Sequence, residues 1–332
     1  MKYKPFYMVI KFPIALLAIF LFAFQPQAFA GPGSYPNKPV KLDVMYPPGG
    51  ATDFQARIVT MLSGSKKFLG QPVAIVNISG AGGMVGWNQF VTSAKSNGYE
   101  MGAYNAPSFI AQSIHFPSRT KFNIHNMIPI ANWGADPAVL IVPKNSPFNN
   151  VKQFVAYAKK HPGKITVSGA GLYTGHEIAM MQFEKAAGIK LSYVPAKGGV
   201  PALQLVMSGH VKAGFNNLSD AYRNRSRLKI LAVAALHRNK EFLPNVPTLK
   251  QDGYDVDNTS VNYRGVMVPK GTPPKIVHFL ERKFVAMFKA KKVQAKMKSG
   301  GSPMHIMDHK QVEQMWSHDE STLKKLFAKH NS

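Results

Sequence analysis

The chain has no cysteine among its 332 residues. That excludes a disulfide framework, a thiolate metal site and a cysteine nucleophile together. Acid is scarce: 16 Asp plus Glu stand against 41 Lys plus Arg, a formal charge of +25. Charged residues make up only 17% and hydrophobic ones 45%, too much core-forming material for an intrinsically disordered protein. The 27 glycines and 24 prolines recur without period, which excludes collagenous and low-complexity chains. Long apolar runs are missing too. The run from Phe12 to Phe24 would rise about 20 Å as a helix, short of the ~30 Å hydrocarbon core of a bilayer.

What that run does offer is an address. Lys2, Lys4 and Lys11 precede it, and Ala28-Phe29-Ala30 follows with small residues at the cleavage positions. This is the order of a secretory signal peptide over residues 1–30, with the exported product starting at Gly31. Cleavage removes three lysines and no acid, so the mature chain stays strongly basic. Its charge is spread, with modest clusters at Arg223-Arg225-Arg227-Lys229 and Lys289-Lys291-Lys292-Lys296-Lys298. Nucleic-acid binders concentrate charge along one run or face. A spread charge reads instead as a solvated surface that steers anions.

Past a Pro/Gly-rich leader (31–39), periodicity predicts strands at 40–46, 72–78 and 99–104, separated by helices from 51 and over 85–94. The β-α-β-α-β order implies a parallel sheet. It recurs: strands at 138–142, 165–168, 191–194, 211–215 and 228–235 alternate with helices at 151–160, 176–187 and 201–208. One strand, 265–268, and long helical patterns at 274–298 and 310–329 complete the chain. The expected fold class is α/β, built as two β/α lobes.

Four turns share one layout, in which a strand ends, small residues follow and a helix begins: 47–52, 79–83, 168–175 and 197–199. Such turns lie at the carboxyl edge of a parallel sheet, where ligands sit. Helix starts there carry partial positive charge, and glycine lets an anion approach the backbone. Four of them in a basic chain point to an anion cleft.

Enzyme motifs fail. Gly80-x-Gly82 misses the dinucleotide fingerprint by one place, and neither a phosphate loop nor a Gly-x-Ser-x-Gly elbow occurs. His176-Glu177 begins a zinc-protease helix, but Met180 stands at the second ligand position. His305 and His309 lack placed partners and read as surface residues. Asp53 and Arg57 read first as an i,i+4 pair supporting a helix start. No catalytic residue, metal or cofactor is expected.

In order along the chain stand PPGGATDFQAR (47–57), LGQPVAIVNISGAGGMVG (69–86), NGY (97–99), HPGKI (161–165), PAKGGVPA (195–202), FNNL (215–218), LPNVPTLKQDGY (243–254) and YRGVMVPKGTPP (263–274). Together they resemble the extracytoplasmic solute receptors of tripartite tricarboxylate transporters, the Bug family. The resemblance implies a type II-like periplasmic-binding-protein fold, with lobe 1 over 40–128, lobe 2 over 129–237, and 238–332 completing lobe 1. It implies a monomeric, periplasmic, non-enzymatic receptor that closes on a di- or tricarboxylate and hands it to a two-component permease. Carried onto this chain, the ligand contacts would be Gly49, Gly50, Thr52, Asp53, Gly82, Gly83, Asn105 and Ser108 from the first lobe. The second would add Thr174, Gly175, His176, Lys197, Gly198, Asn216 and Asn217. Two features depart from the family pattern: the 169–176 turn is a residue longer, and Asn216 stands where many members carry Asp. An Asn at the sheet's carboxyl edge can donate to a carboxylate where Asp would repel it. This favours dicarboxylates over amino acids, unless Asn216 only caps the next helix. Competing readings are a same-fold receptor for another transporter or for a membrane sensor kinase, and a basic nucleic-acid-binding or adhesion protein.

Overall fold

A computed structural model describes residues 1–2 and 35–328. The chain divides into a short N-terminal unit, Met1–Tyr35, and a compact unit, Pro36–Ser332. The export signal expected at 1–30 and the leader expected at 31–39 lie mostly outside the described residues.

The compact unit opens with β1 (Val40–Val44), α1 (Ala51–Val59), β2 (Val73–Asn77), a short 3-10 turn (Ala81–Gly83), α2 (Met84–Ser93), β3 (Glu100–Ala106), α3 (Ser108–His115) and β4 (Met127–Asp136). It continues with β5 (Ala138–Pro143), α4 (Val151–Lys160), β6 (Thr166–Gly169), α5 (Gly175–Ala187), β7 (Ser192–Pro195), α6 (Gly199–Met207), β8 (Ala213–Asn217), α7 (Leu218–Arg223) and β9 (Leu228–Ala234). It ends with a 3-10 turn (Asn258–Ser260), β10 (Asn262–Pro269), α8 (Pro274–Phe288), α9 (Lys291–Ser299), β11 (Met304–Met307) and α10 (His309–Ala328).

Two sheets result. The first runs β11-β4-β10-β3-β1-β2 and the second β7-β6-β8-β5-β9. The parallel pairings expected from the β/α alternation are present, β1 with β2 and β3, and β6 with β7 and β8. Each sheet also takes antiparallel strands, β10 and β4 in the first and β5 and β9 in the second. β4 is absent from the sequence reading because Pro129 and polar Asn132 interrupt its apolar pattern. Residues 129–136, expected in the second lobe, pair with β10 in the first sheet. The chain therefore crosses between sheets at Pro137, where no backbone N–H exists to continue a ladder. It crosses back between β9 and β10. The single helical pattern at 274–298 breaks in two around Lys289 and Ala290.

Burial explains the layers. Trp87, Phe90, Tyr104, Phe109, Phe122 and Trp316 fill one face of the first sheet beneath α2, α3 and α10. Leu140, Phe154, Phe183 and Phe215 fill one face of the second, and Val139, Leu203, Val206 and Val233 the other. With both faces covered, β5 reads as the continuous apolar run Ala138–Val142 rather than as an alternation.

Candidate binding site

The carboxyl ends of β1, β3, β6 and β8 face a cavity between the two sheets. Tyr46, Pro47, Gly50, Ala51, Thr52, Asn105 and Ser108 line it on the first-sheet side, with Asn262 and Arg264 from β10. Ala170, Thr174, His176, Gly199, Val200 and Asn217 line it on the other. It is tight, with about 20 Å³ open to the centre of a water molecule, enough for roughly one water.

Four helices of eight or more residues begin at this cavity, and none has a capping N-cap side chain, although the Gly175 N–H of α5 donates to Ser108 Oγ at 3.3 Å. α1 starts after Gly50, α3 after Pro107, α5 after Thr174 and α6 after Gly198. Thr174 has a hydroxyl that could cap, but it donates to the Gly171 carbonyl at 3.0 Å. Elsewhere α4 is capped, the Asn150 side chain accepting from the Gln153 N–H at 2.9 Å, while α2, α7, α8 and α9 also start without a side-chain cap. The cavity thus gathers backbone donors that an ordinary helix start satisfies with Ser, Thr, Asp or Asn. Their dipoles make it favourable to negative charge.

At its floor lies Arg264, 1% exposed. Its Nη1 pairs with buried Asp136 at 2.8 Å and makes a long contact to Gln55 Oε1 at 3.5 Å. Its Nε donates to Thr52 Oγ1 at 3.1 Å and its Nη2 to Asn217 Oδ1 at 2.6 Å. A guanidinium carries five N–H groups, so one Nη2 donor remains beyond these four bonds. Asp136 is held further by Gln55 Nε2 at 3.1 Å and by the Ser219 backbone N–H at 3.1 Å. The pair is close to neutral, so the field at the cavity comes mainly from the helix starts.

His176 occupies the first turn of α5. Its Nδ1 accepts from the Ala170 N–H at 3.2 Å, which leaves the proton on Nε2, 3.2 Å from Asn217 Oδ1. Burial lowers its pKa to about 4 against the opposing Asn217 hydrogen bond, and Arg264 lowers it further. The ring is therefore neutral at neutral pH. Asn217 Oδ1 also faces Asn262 Nδ2 at 3.3 Å. Three donors from both sheets converge on this one carboxamide oxygen.

Seven of the sequence-derived site residues line the cavity: Gly50, Thr52, Asn105, Ser108, Thr174, His176 and Asn217. The others stand behind it. Asp53 accepts from the Gly49 N–H at 2.9 Å, Asn77 Nδ2 at 3.0 Å and Arg57 Nε at 3.0 Å. Burial raises the pKa of Asp53, but these hydrogen bonds outweigh it and leave it lowered. Asp53 and Gly49 build the turn, in keeping with the helix-support role of the Asp53–Arg57 pair. Gly83 lies against the Trp87 ring and Gly175 against the Ser260 carbonyl and Asn262, where a Cβ would clash. Gly198, at φ +122°, packs on Pro47. Gly82 and Lys197 line a separate outer pocket of about 210 Å³.

Asn216 also lies behind the wall. Its Nδ2 donates to the Gly199 carbonyl at 2.9 Å and its Oδ1 accepts from the Asn217 N–H at 2.9 Å. Both ends of the carboxamide hold backbone, so its neighbour Asn217 is the residue that faces the cavity. Arg264 was missed although the motif YRGVMVPKGTPP contains it. The signal was there: an arginine inside an otherwise apolar buried strand needs a buried partner.

A two-sheet β/α architecture with its cavity at the strand ends between the sheets defines a solute-binding protein of the periplasmic type. The chain matches the family described as the tripartite tricarboxylate transporter family receptor over residues 56–331 and belongs to that family. The family is one of solute receptors rather than of enzymes. Among relatives, a UPF0065 protein of Cupriavidus necator is 32% identical over 274 residues, covering 81% of this chain and 80% of that one. Protein BugT of Bordetella pertussis is 28% identical over 296 residues, 88% and 89% of the two chains. Periplasmic binding protein BugD superposes with a TM-score of 0.80 at 26% identity, covering 89% of this chain and 98% of its own. Two proteins of Rhodopseudomonas palustris share the fold. MatC with bound malate has a TM-score of 0.78 at 23% identity, over 88% of this chain and 99% of its own. Rpa4515 with adipate has a TM-score of 0.77 at 22% identity, over 88% and 97%.

Proposed function

We propose that this receptor captures a dicarboxylate between its two lobes in the periplasm and delivers it to a two-component membrane permease. The observation that carries the reading is the convergence of four uncapped helix starts and the buried Arg264 on one cavity. Malate in MatC and adipate in Rpa4515 supply the ligand class by analogy. The lobes would be 40–136 with 262–328, and 138–234, moving about Pro137 and the 235–261 connection. Residues 1–30 would serve as the cleaved export signal.

Micromolar affinity needs about 8 kcal/mol net, and a hydrogen bond to a charged group contributes roughly 1.5–3 kcal/mol. Several such bonds at both ends of the ligand are required once immobilisation is charged against them. One carboxylate would take the remaining Arg264 donor and the α1 N–H groups. The other would meet the starts of α5 and α6. The test is calorimetry with malate, succinate and adipate on the wild type and on the double variant Arg264→Gln, Asp136→Asn, which keeps the buried pair neutral. The wild type should bind at least one of these, and the variant about 10–100-fold more weakly. Unaltered affinity in the double variant would remove Arg264 from the site. Binding of none would remove the dicarboxylate.

A further inference from the structure

The two basic clusters of the sequence, sixty positions apart at their nearest, have no part in the cavity. In the structure one end of the first approaches the second, while Lys229 lies apart on Ser146 and Asn149. Arg223, paired with buried Asp220, donates from Nη1 to the Gly300 carbonyl at 3.1 Å, just past the end of α9, and its guanidinium lies 4.4 Å from the Phe54 ring centre. Arg225 stacks at 4.1 Å on Tyr222, whose ring packs against Gly301. α7, which carries Arg223, rests on the second sheet, and α9 rests on α1 and α8 beside the first. The joined surface therefore spans both halves of the protein.

α9 buries Val293 and Met297 and turns Lys291, Lys292, Lys296 and Lys298 outward, with Lys289 exposed just before it. Lys298 pairs with Glu241 at 3.3 Å, and among the described residues the other four lie beyond ion-pair distance of any acid. Beside them a pocket of about 390 Å³ is lined by Glu241, Ala295 and Met304 as well as by Lys291, Lys298, Gln294 and Ser302. From this we propose that the α9–α7 face docks the receptor on the anionic phospholipid surface of a membrane. Lysine-rich chemistry decides for lipid over protein. Protein interfaces are depleted in lysine and centre on aromatic anchors, whereas the rings here, Phe54 and Tyr222, are already covered by Arg223 and Arg225. Exposed ammonium groups without an uncovered aromatic anchor match a diffuse anionic surface, where each contributes through the surface potential. Such docking falls with salt and would hold a ligand-loaded receptor in the plane of its membrane.

The experiment is vesicle co-sedimentation of the protein in the form the producing cell exports. Phosphatidylglycerol–phosphatidylcholine vesicles are compared with pure phosphatidylcholine. Binding should require the anionic lipid and decline as salt rises. Replacing Lys289, Lys291, Lys292, Lys296 and Lys298 with Gln should lower the apparent partition coefficient about tenfold or more. Replacing Lys152, Lys159, Lys160, Lys164 and Lys190, equally exposed on the second half, should leave most of it. Should the first variant unfold, the pair Lys292→Glu, Lys296→Glu reads the same face. Equal loss in the two five-residue variants reduces the effect to net charge and overturns the proposal. So does binding to phosphatidylcholine alone, or retention only by detergent-solubilised membrane proteins. Dicarboxylate calorimetry on the same variants keeps this outcome separate from the cavity's function.

Discussion

Asp319 shows what a single residue can add to the pH response. It lies on α10, 7% exposed, beside a cavity of about 460 Å³ that Asp257, His318 and Tyr263 also line. Burial raises its pKa to about 7, and the charge of Asp257 adds to the rise. A folded-state pKa above the unfolded one means the folded protein holds its proton longer. The stability tied to that proton is complete below about pH 4 and is lost as pH climbs through about 7. Glu177, pushed to about 7 by burial, acts in the same direction. His176 acts in the opposite one, because its lowered pKa makes its contribution disappear as pH falls toward about 4. The total pH profile mixes these signs, so a difference measurement is needed. Asp319→Asn should raise the melting temperature relative to wild type more at pH 8 than at pH 5. A gain that is equal at both pH values would mean that Asp319 does not titrate in this window.

Arg264 is the other residue whose environment decides its role. Deleting it alone strands Asp136 in the interior, which typically costs about 3–5 kcal/mol. A simple Arg264→Ala would therefore confuse unfolding with loss of binding, and a paired substitution at Asp136 avoids this.

At the level of elements, the proposed function has the helix starts trade stability for binding. An uncapped N-terminus forgoes up to about 1 kcal/mol, and a few tenths where the N-cap is Gly, yet α1, α3, α5 and α6 all begin this way at the cavity. α1 allows the idea to be tested without strain. Gly50 has φ −73° and ψ 169°, a backbone any residue adopts. A Cβ there would have the Pro47 carbonyl at 3.6 Å and Val200 at 3.8 Å, ordinary contacts. Gly50→Asp should cap α1 and raise thermal stability by about 0.5–1 kcal/mol, a few tenths from the cap and the rest from the lost freedom of the unfolded chain. It should also weaken dicarboxylate binding, since its own carboxylate takes the same N–H groups. Melting curves and calorimetry on one preparation check both halves. Unchanged affinity alongside raised stability would show that the α1 start does not meet the ligand.

For the whole molecule, the contacts across the cavity describe a shut protein. Gln112 Nε2 of α3 donates to the Leu172 carbonyl at 3.0 Å, and the Gly175 N–H donates to Ser108 Oγ at 3.3 Å. The Tyr173 ring stacks on His115 at 3.8 Å and meets Phe116 and Phe327 edge-on. A dicarboxylate is larger than the space these contacts leave, so the proposed function requires the lobes to part for its entry. Ligand binding then shifts the population toward closure. Small-angle scattering should give a smaller radius of gyration with saturating ligand than without. Tyr173→Ala, which removes the stack at the rim, should expand the ligand-free protein further. A radius indifferent to both ligand and Tyr173 would count against lobe motion.

Much of this was legible in the residues. Alternation and turn chemistry located the β/α units, because a strand period of two and a helix period of 3.6 are local properties. The Gly-rich turns pointed to an anion cavity, since strand order places such turns at one sheet edge. Seven cavity residues came from those turns and the strand ends beside them, Gly50, Thr52 and His176 among them. What stayed hidden depended on distance. β4 is a strand because β10 and β11 pair with it from more than a hundred residues away. Arg264 lines the cavity because Asp136, Thr52 and Asn217 hold it there from three elements. Between adjacent Asn216 and Asn217, only tertiary packing decides which faces the cavity. The Gly199 carbonyl draws one carboxamide back, and Arg264, His176 and Asn262 draw the other forward. The chain by itself determined its elements, its charge and the chemistry at its turns, all of them short-range. Tertiary structure decided which polar groups are buried together, because desolvation is set by what packs against a group and not by its neighbours in sequence.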